Sequence, residues 1–470
     1  MGTESLIVRE SSSPLPAQTE FLVIGAGYSG LVATLELAKA GRQVVLIDAL
    51  PIGGNLDPRP GGNQSSISGG HVTFGYSQDY KHLEKTLGRD RAKAVFLHSI
   101  RNVQRVREYT ETYNMRAAGW RAGLLFLARN DFDRVLLRSM KAVHQRYLRD
   151  RDAERLVPPE ETSQMVSSPA FRHGALYSAL GGQIEPRGYV LGLSGAAASH
   201  GAIVCGETKA LDIELKEEYV TVTLESGRSM RADKVIVSGG TQMVRSNLFP
   251  EMRKHMAMVG NAAVRTVPLS DDVLNTLFPS GYPCAFSDLH TTDVLYARLD
   301  RQSRLDFGAY SFAGKTPNTL KVLALLHETF PVLREKNVAI ESTRFGFLCG
   351  TRSLTAQFYQ PNETGQVRSI SQFDPSARLL VMGGFGGEGI TLGTGAGFEV
   401  AQAFLGNPEG LNLLAGIPHG KLPITFPVET LNRLRDNMFV KGYSLADQNR
   451  YERGVKGTLA RRLLHWAEGA

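Results

Sequence analysis

The residues whose types and spacing best suit chemistry begin at Gly25, where Gly25, Ala26, Gly27, Tyr28, Ser29 and Gly30 follow the apolar run Phe21-Leu22-Val23-Ile24. Such a run suits a buried parallel strand flanked by helices on both faces. Gly25 then permits a tight turn. Gly27 removes the side chain that would keep a pyrophosphate from the backbone N–H groups, and Gly30 lets the next helix pack on the strand. A second apolar run, Val44-Val45-Leu46-Ile47, ends in Asp48 and Ala49. An acid about 20 residues beyond a glycine turn accepts hydrogen bonds from an adenosine ribose. Glycine is frequent here, at 49 residues, so the turn alone is a weak signal. Strand, turn, helix and acid in register make a dinucleotide site a stronger reading than a structural turn.

A second constellation lies near the other end. Leu379–Gly383 reads as a strand, Gly384, Gly386, Gly387 and Gly389 as a turn around Glu388, and Ile390 and Thr391 as the opening of a helix that reaches Phe404. A helix start presents free N–H groups and partial positive charge. Aimed at an isoalloxazine, it stabilises the negative charge that develops near N1 and O2 on reduction. Two strand-to-helix glycine turns far apart in the chain suit a long cofactor with two polar ends, namely FAD, better than a nicotinamide nucleotide.

The elements that must position these turns follow from periodicity. At 470 residues the chain exceeds one ordinary core, so two interlocked domains are expected. Residues 1–18 read as a polar, disordered lead, and the glycine-rich stretch 53–75 as a loop that approaches something closely. Helices are expected at 89–113, at 131–150 with Asp131 as its cap, and at 189–200. Strands are expected at 124–127, 219–224 and 232–240, the last two joined by a turn at Ser226-Gly227-Arg228. Residues 246–340 read as short strands with one helix near 318–329. The formal charge is +7, yet basic residues are spread out and alternate with acids, as on solvated helix faces, so no nucleic acid partner is expected. No apolar window is long enough to span a membrane. Three widely spaced cysteines, Cys205, Cys284 and Cys349, fit neither a disulfide framework nor a metal site, and a reducing cytoplasm is the expected compartment.

Several stretches carry a family resemblance: Gln64-Ser65-Ser66-Ile67-Ser68-Gly69-Gly70-His71, Ile184-Glu185-Pro186, residues 233–237, Tyr296-Ala297-Arg298 with Leu305-Asp306-Phe307-Gly308, and Phe345-Gly346. Over most of residues 20–410 the chain resembles the FAD-dependent amine and amino acid oxidoreductases of the D-amino acid oxidase type, most of all their γ-glutamylputrescine oxidase-like members. The resemblance implies an α/β (α+β overall) fold. A doubly wound, Rossmann-like FAD-binding domain would draw on residues 19–88, 175–245 and 341–415. An interleaved antiparallel β-sheet substrate domain would draw on 89–174 and 246–340, and a helical tail on 416–470. It also implies cofactor contacts from both glycine turns, from Ser65, Ser66, Ser68, Gly69, Gly70 and His71, and from Ala210 and Gly239.

Departures from the family fall in the implied substrate cavity. Sarcosine oxidase-like members carry lysines near the flavin, one helping oxygen reduction and one holding a substrate carboxylate; Asp306 and Thr391 stand at those places here. Glu388 stands where many relatives have His. Fewer cations and more acids favour a cationic amine over an anionic substrate. Each candidate also has a plainer reading: Glu388 as a helix cap, Asp306 turned away from the pocket, His71 as a hydrogen-bonded histidine, Tyr296 as a half-buried strand residue. Cys349 lies near where sarcosine oxidases attach flavin, and its apolar neighbours favour an inert thiol.

The expected activity is oxidation of an amine, a polyamine conjugate or N-alkylated amine, by hydride transfer to flavin N5, with O2 or another acceptor reoxidising the flavin. The resulting imine hydrolyses. The alternatives are a D-amino acid dehydrogenase using Arg344 or Arg352 for a carboxylate, a catalytically silent flavin-binding subunit, and a nicotinamide dehydrogenase. The oligomeric state is not legible.

Overall fold

The computed structural model describes residues 15–54, 64–76, 80–148, 150, 152–245, 248–289, 294–311, 319–351 and 356–417. Residues 1–14 of the expected lead, Arg352, and the expected tail from 418 onward lie outside the described residues.

The first sheet explains the apolar runs. In spatial order it comprises β17 (Val367–Ser369), β16 (Gln357–Pro361), β18 (Leu379–Gly383), β10 (Ser229–Val237), β1 (Gln18–Ile24), β2 (Val44–Ile47) and β7 (Ile203–Cys205). The hairpin of β8 (Ala210–Leu215) and β9 (Val220–Leu224) pairs with the first half of β10. Strands β18, β10, β1, β2 and β7 are parallel. Their ends are level, with Ile24 beside Ile47 and Val237, and Val237 beside Val381. Every loop that leaves a carboxyl end therefore opens on one edge, where ligands bind in parallel α/β sheets. Residues 15–17, read as part of the lead, are held against this sheet, because the carbonyl of Ala17 accepts the N–H of Arg231.

One face of this sheet packs on α1 (Tyr28–Lys39), α3 (Arg89–Thr112), α6 (Pro186–Ser199), α11 (Gly389–Phe404) and α12 (Glu409–Ala415). Eleven consecutive residues of α1, Tyr28 to Ala38, are buried, which accounts for a helix too apolar to be amphipathic. The opposite face is covered not by long helices but by the β8–β9 hairpin, the short α7 (Thr241–Arg245) and a 3-10 turn at Pro250–Lys254, packed through Met230, Met243, Met252 and Met256.

The second sheet has the order β15 (Ile340–Thr351), β11 (Met256–Thr266), β14 (Leu305–Ser311), β13 (Leu295–Leu299), β12 (Ala285–Asp288), β4 (Arg121–Leu127), β6 (Ala175–Gln183) and β3 (His71–Val72), with β5 (Glu154–Val157) also on β6. All pairs are antiparallel except β12 with β4. Side chains alternate cleanly. Ala262, Val264, Leu295, Ala297, Leu305 and Phe307 join a core under α8 (Asp271–Leu277), α9 (Thr319–Thr329) and α10 (Pro331–Glu335). Arg265, Tyr296, Arg298, Asp306, Gly308 and Arg344 fall on the other face. The remaining helices are α2 (Tyr80–Leu87), α4 (Asp131–Tyr147) and α5 (Pro159–Met165).

Several expectations are corrected. The stretch 53–75 is not all loop, because β3 forms within it. Helix α9 is joined by α8 and α10 in the middle segment. The cap of α4 is Asn130, whose side chain accepts the N–H of Asp133 at 2.9 Å, so Asp131 is already inside the helix. Strands β3, β6 and β15 join the second sheet and α3 packs in the core of the first, so the segments assigned to each domain contribute to both. Alternation identifies a strand but not the sheet it joins, because that depends on backbone partners distant in sequence.

Candidate active site

The first glycine turn is built by exclusion. Gly25 has a φ of 109°, and a Cβ there would lie 2.5 Å from the carbonyl oxygen of Ser238. A Cβ at Gly30 would lie 1.9 Å from the carbonyl oxygen of Gly25, so only glycine lets α1 start this close to β1. Ser29 and Ser238 bond through their hydroxyls at 2.5 Å, joining the start of α1 to the end of β10. Gly27 is the N-cap of α1 and supplies no side-chain cap; the N–H of Tyr28 faces Ser65 Oγ at 3.4 Å. The helix start keeps donors for a phosphate.

Asp48 fastens this turn. Its Oδ2 accepts the N–H of Ala26 at 2.6 Å and its Oδ1 that of Leu50 at 2.8 Å. Burial pushes its pKa up, opposed by both N–H donors. The carbonyl of Asp48 accepts the N–H of Thr208 at 2.7 Å, which brings the start of β8, with Ala210, toward Asp48 and Ala49. Gly239 follows Ser238 on the same edge.

The second turn runs through Gly384, Gly386 and Gly387, at φ 81°, 58° and 99°, values that only glycine adopts freely. It is tied to β15: the N–H of Gly386 donates to the carbonyl of Cys349 at 3.0 Å, and Gly350 bridges to Phe385. Glu388 occupies the N-cap of α11 yet its side chain makes no capping bond, so the plain capping role does not hold. Beyond Gly389, Ile390 and Thr391 are buried in the first turn. Small residues pack the middle of α11 closely on the start of α1, since a Cβ at Gly397 would lie 2.2 Å from the carbonyl oxygen of Ser29.

Residues 64–73 join both helix starts to the second sheet. Tyr28 donates its hydroxyl to the carbonyl of Ser65 and lies 3.0 Å from Ser68 Oγ, while Ser66 is buried beside them. Gln64 Oε1 accepts the N–H of Phe347 at 2.8 Å. Thr391 donates to the carbonyl of Thr73 at 2.7 Å. The ring of Tyr296 fills space that side chains at Gly69 and Gly308 would occupy, with Cβ positions 2.7 Å and 2.1 Å from ring carbons, and its hydroxyl donates to Asn261 Oδ1 at 2.7 Å. His71 stands edge-on to that ring at 5.6 Å, with Nε2 3.1 Å from the carbonyl of Phe286. Burial pulls its pKa down to about 4, so the imidazole is neutral at pH 7.

Asp306 sits among arginines. It accepts from Arg265 Nε and Nη2 at 2.8 and 2.7 Å and from Arg344 Nη2 at 2.5 Å, and it forms an ion pair with Arg298 Nη2 at 2.8 Å. Burial alone would raise its pKa, but Arg344, Arg298 and Arg265 hold the carboxyl well below the usual range. Asp306 is therefore not an unpaired acid presented to a substrate, which corrects that part of the acidic-pocket expectation. Arg298 also forks onto Glu185. Among the described residues, three guanidiniums thus face two carboxylates, leaving one positive charge in excess, and the buried Nε of Arg344 has no hydrogen-bond partner.

The structure brings His71, Tyr296 and Asp306 together with Arg344, and places Glu388 in the second turn, at the N-cap of α11. Sequence reasoning missed Arg265, Arg298 and Gln64 as site residues. The signal for the arginines was alternation, since Arg298 pairs with Asp306 across β13 and β14, and Arg265 with Asp306 across β11 and β14. Cys349 is half-buried, with its sulfur 3.4 Å from that of Met256. Among the described residues, no group of three or more His, Cys, Asp or Glu is placed to hold a metal, and no helix is long and apolar enough to cross a membrane.

A parallel sheet whose carboxyl edge carries two glycine-opened helix starts, adjoining the charged face of an antiparallel sheet, defines a dinucleotide-dependent oxidoreductase. The chain belongs to the DAO family of FAD dependent oxidoreductases, whose model matches residues 20–403. It is 27% identical over 405 residues to gamma-glutamylputrescine oxidoreductase of Escherichia coli (strain K12), covering 85% of this chain and 87% of that protein. Its fold is similar to that of glycine oxidase from Bacillus cereus ATCC 14579, with a TM-score of 0.65 at 16% identity over 86% of this chain and 99% of that one. Iminodiacetate oxidase from Chelativorans sp. BNC1 gives a TM-score of 0.61 at 19% identity over 83% and 96%. The expected family, two-sheet fold and FAD dependence are thus found, and the enzyme class is an FAD-dependent oxidoreductase of amines or amino acids. The residues fit the cofactor: the start of α1 lacks a side-chain cap, and its cradle is kept open by glycines.

Proposed function

We propose that this chain oxidises the C–N bond of an amine that also bears a carboxylate, with an amino acid conjugate of a polyamine as the first candidate. The observation that carries this reading is the buried arginine cluster, in which Arg265, Arg298 and Arg344 face Asp306 and Glu185 and leave one positive charge in excess among the described residues. An anionic group beside the cluster would balance that charge. The relative named for γ-glutamylputrescine supports a conjugate.

When bound, FAD supplies the hydride acceptor, its N5 atom. The N–H groups at the start of α1 would hold its pyrophosphate, with Asp48 and Ala210 toward the adenosine end. The start of α11, with Gly389, Ile390 and Thr391, would favour negative charge on the reduced flavin. Ser68, Gly69, Gly70 and His71 would line the flavin side. Tyr296 and neutral His71 form an uncharged wall that excludes water, and Glu388 attracts the amine end of the substrate. No general base is assigned, since a neutral amine with a free lone pair expels hydride unaided. The imine product hydrolyses, and O2 or another acceptor takes the electrons.

A simple D-amino acid is the second reading, and the same excess of guanidinium charge favours its carboxylate. The test is anaerobic titration of the purified holoprotein with polyamines, γ-glutamyl polyamines, N-alkylated amines and D-amino acids, following loss of the oxidised flavin band. Bleaching by carboxylate-bearing conjugates, but not by the free polyamines, is expected. Bleaching by free polyamines alone would overturn the reading, and bleaching by D-amino acids alone would move it to the second.

A further inference from the structure

We propose that Arg298 is a positioning residue for the cofactor, clamping the loop that lies on the flavin to the second sheet and to the start of α6. In the substrate reading above it counts only toward the charge of the cluster. The proposal rests instead on residues 68–71 lying against the flavin.

Arg298 is among the largest fully buried side chains of the described residues, with a side-chain exposure of 1%. A buried guanidinium is costly unless each face of its fork is used. Here the fork reaches three chain segments: Nε donates to the carbonyl of Gly69 at 2.8 Å, Nη1 and Nη2 donate to Glu185, and Nη2 forms an ion pair with Asp306 at 2.8 Å. Gly69 belongs to the loop that also contacts Tyr28 at the start of α1 and, through Thr73, Thr391 at the start of α11. Glu185 is the N-cap of α6, yet it makes no capping bond to its own helix. Its carboxylate is spent on Arg298.

The loop is shaped to admit this side chain. Gly70 adopts a φ of 80°, and a Cβ there would lie 2.6 Å from Arg298 Nε and 2.4 Å from the carbonyl oxygen of Ile184. The carbonyl of Gly70 in turn accepts the N–H of Ile184 at 2.9 Å, which lays the loop along the segment leading into α6. One planar fork thus fixes the position of Gly69 against both helix starts, which no lysine reproduces, since a single ammonium cannot span Gly69, Glu185 and Asp306.

The test is Arg298→Lys, which keeps the charge and loses the fork, with Glu185→Gln as a milder variant that keeps shape and weakens the clamp. FAD affinity is measured by reconstituting apoprotein, and flavin geometry by the visible circular dichroism of the bound cofactor. R298K is expected to bind FAD at least tenfold more weakly, with an altered visible spectrum. E185Q is expected to change both in the same direction by a smaller factor. A merely structural arginine would lower the melting temperature of apo and holo forms alike and leave the spectrum of bound FAD unchanged. Wild-type FAD affinity and spectrum in R298K would overturn the proposal. If R298K does not fold, wild-type values in E185Q would overturn it.

Discussion

Replacing Asp306 by Asn is the most demanding perturbation of this site, because it removes one buried charge and leaves three opposite ones. Asp306 is 1% exposed and bonded to Arg265, Arg298 and Arg344 at 2.5 to 2.8 Å. Removing one partner of a single buried ion pair costs about 3 to 5 kcal/mol. With three guanidiniums affected and Glu185 the remaining acid of the cluster, the upper figure applies. The unfolding entropy of a 470-residue chain is about 1 kcal/mol/K at roughly 2.1 cal/mol/K per residue, so a loss of about 5 kcal/mol lowers the melting temperature by about 5 °C. The pH dependence supplies a second reading of the same charge. The folded pKa of Asp306 lies well below its unfolded value of about 3.9, so its stabilisation is fully present above the unfolded value, starts to fall below it and is lost only as pH falls through the folded pKa. The gap in melting temperature between wild type and D306N should therefore be widest at pH 7 and only slightly narrower at pH 3.5. Differential scanning calorimetry at both pH values measures it. A D306N melting temperature within 1 °C of wild type at pH 7 would refute the reasoning, because it would mean that the arginines have no need of this counter-charge.

Two further outcomes follow from the geometry. Gly30→Ala should give a protein that is isolated without yellow colour and takes up added FAD at least tenfold more weakly, because its Cβ would lie 1.9 Å from the Gly25 carbonyl oxygen and must push α1 off the turn; retention of stoichiometric FAD would contradict this. His71, with its pKa pulled down to about 4, should leave kcat/KM flat from pH 5.5 to 7 on its account, and its neutral state costs stability as pH falls from about 6.5, the unfolded value, toward 4. His71→Gln should make the melting temperature less dependent on pH across that window, and an unchanged slope would show that His71 is not the group responsible.

Local chemistry was legible in the sequence wherever a residue acts through its own backbone or its near neighbours. Gly25, Gly27 and Gly30 are set by the strand, turn and helix on either side, and the second turn at Gly384 to Gly389 obeys the same logic. Periodicity likewise placed β1, β2, β9, β10, α3 and α9 close to where they stand. What tertiary structure alone decided concerns partners far apart in the chain. Asp306 read as an unpaired acid of the substrate cavity, or as one turned away from it, because its neighbours Leu305 and Phe307 say nothing of Arg265 and Arg344, which arrive from β11 and β15. Glu185 read as one residue of a motif, whereas it holds Arg298. Strands β3, β6 and β15 joined the second sheet because the register of backbone hydrogen bonds, which no single strand encodes, chose their partners. Sequence fixes which groups are present and which way they alternate. Only the folded chain decides which charges meet, and in a buried site that meeting determines whether an acid is free to bind a substrate or is held by arginines.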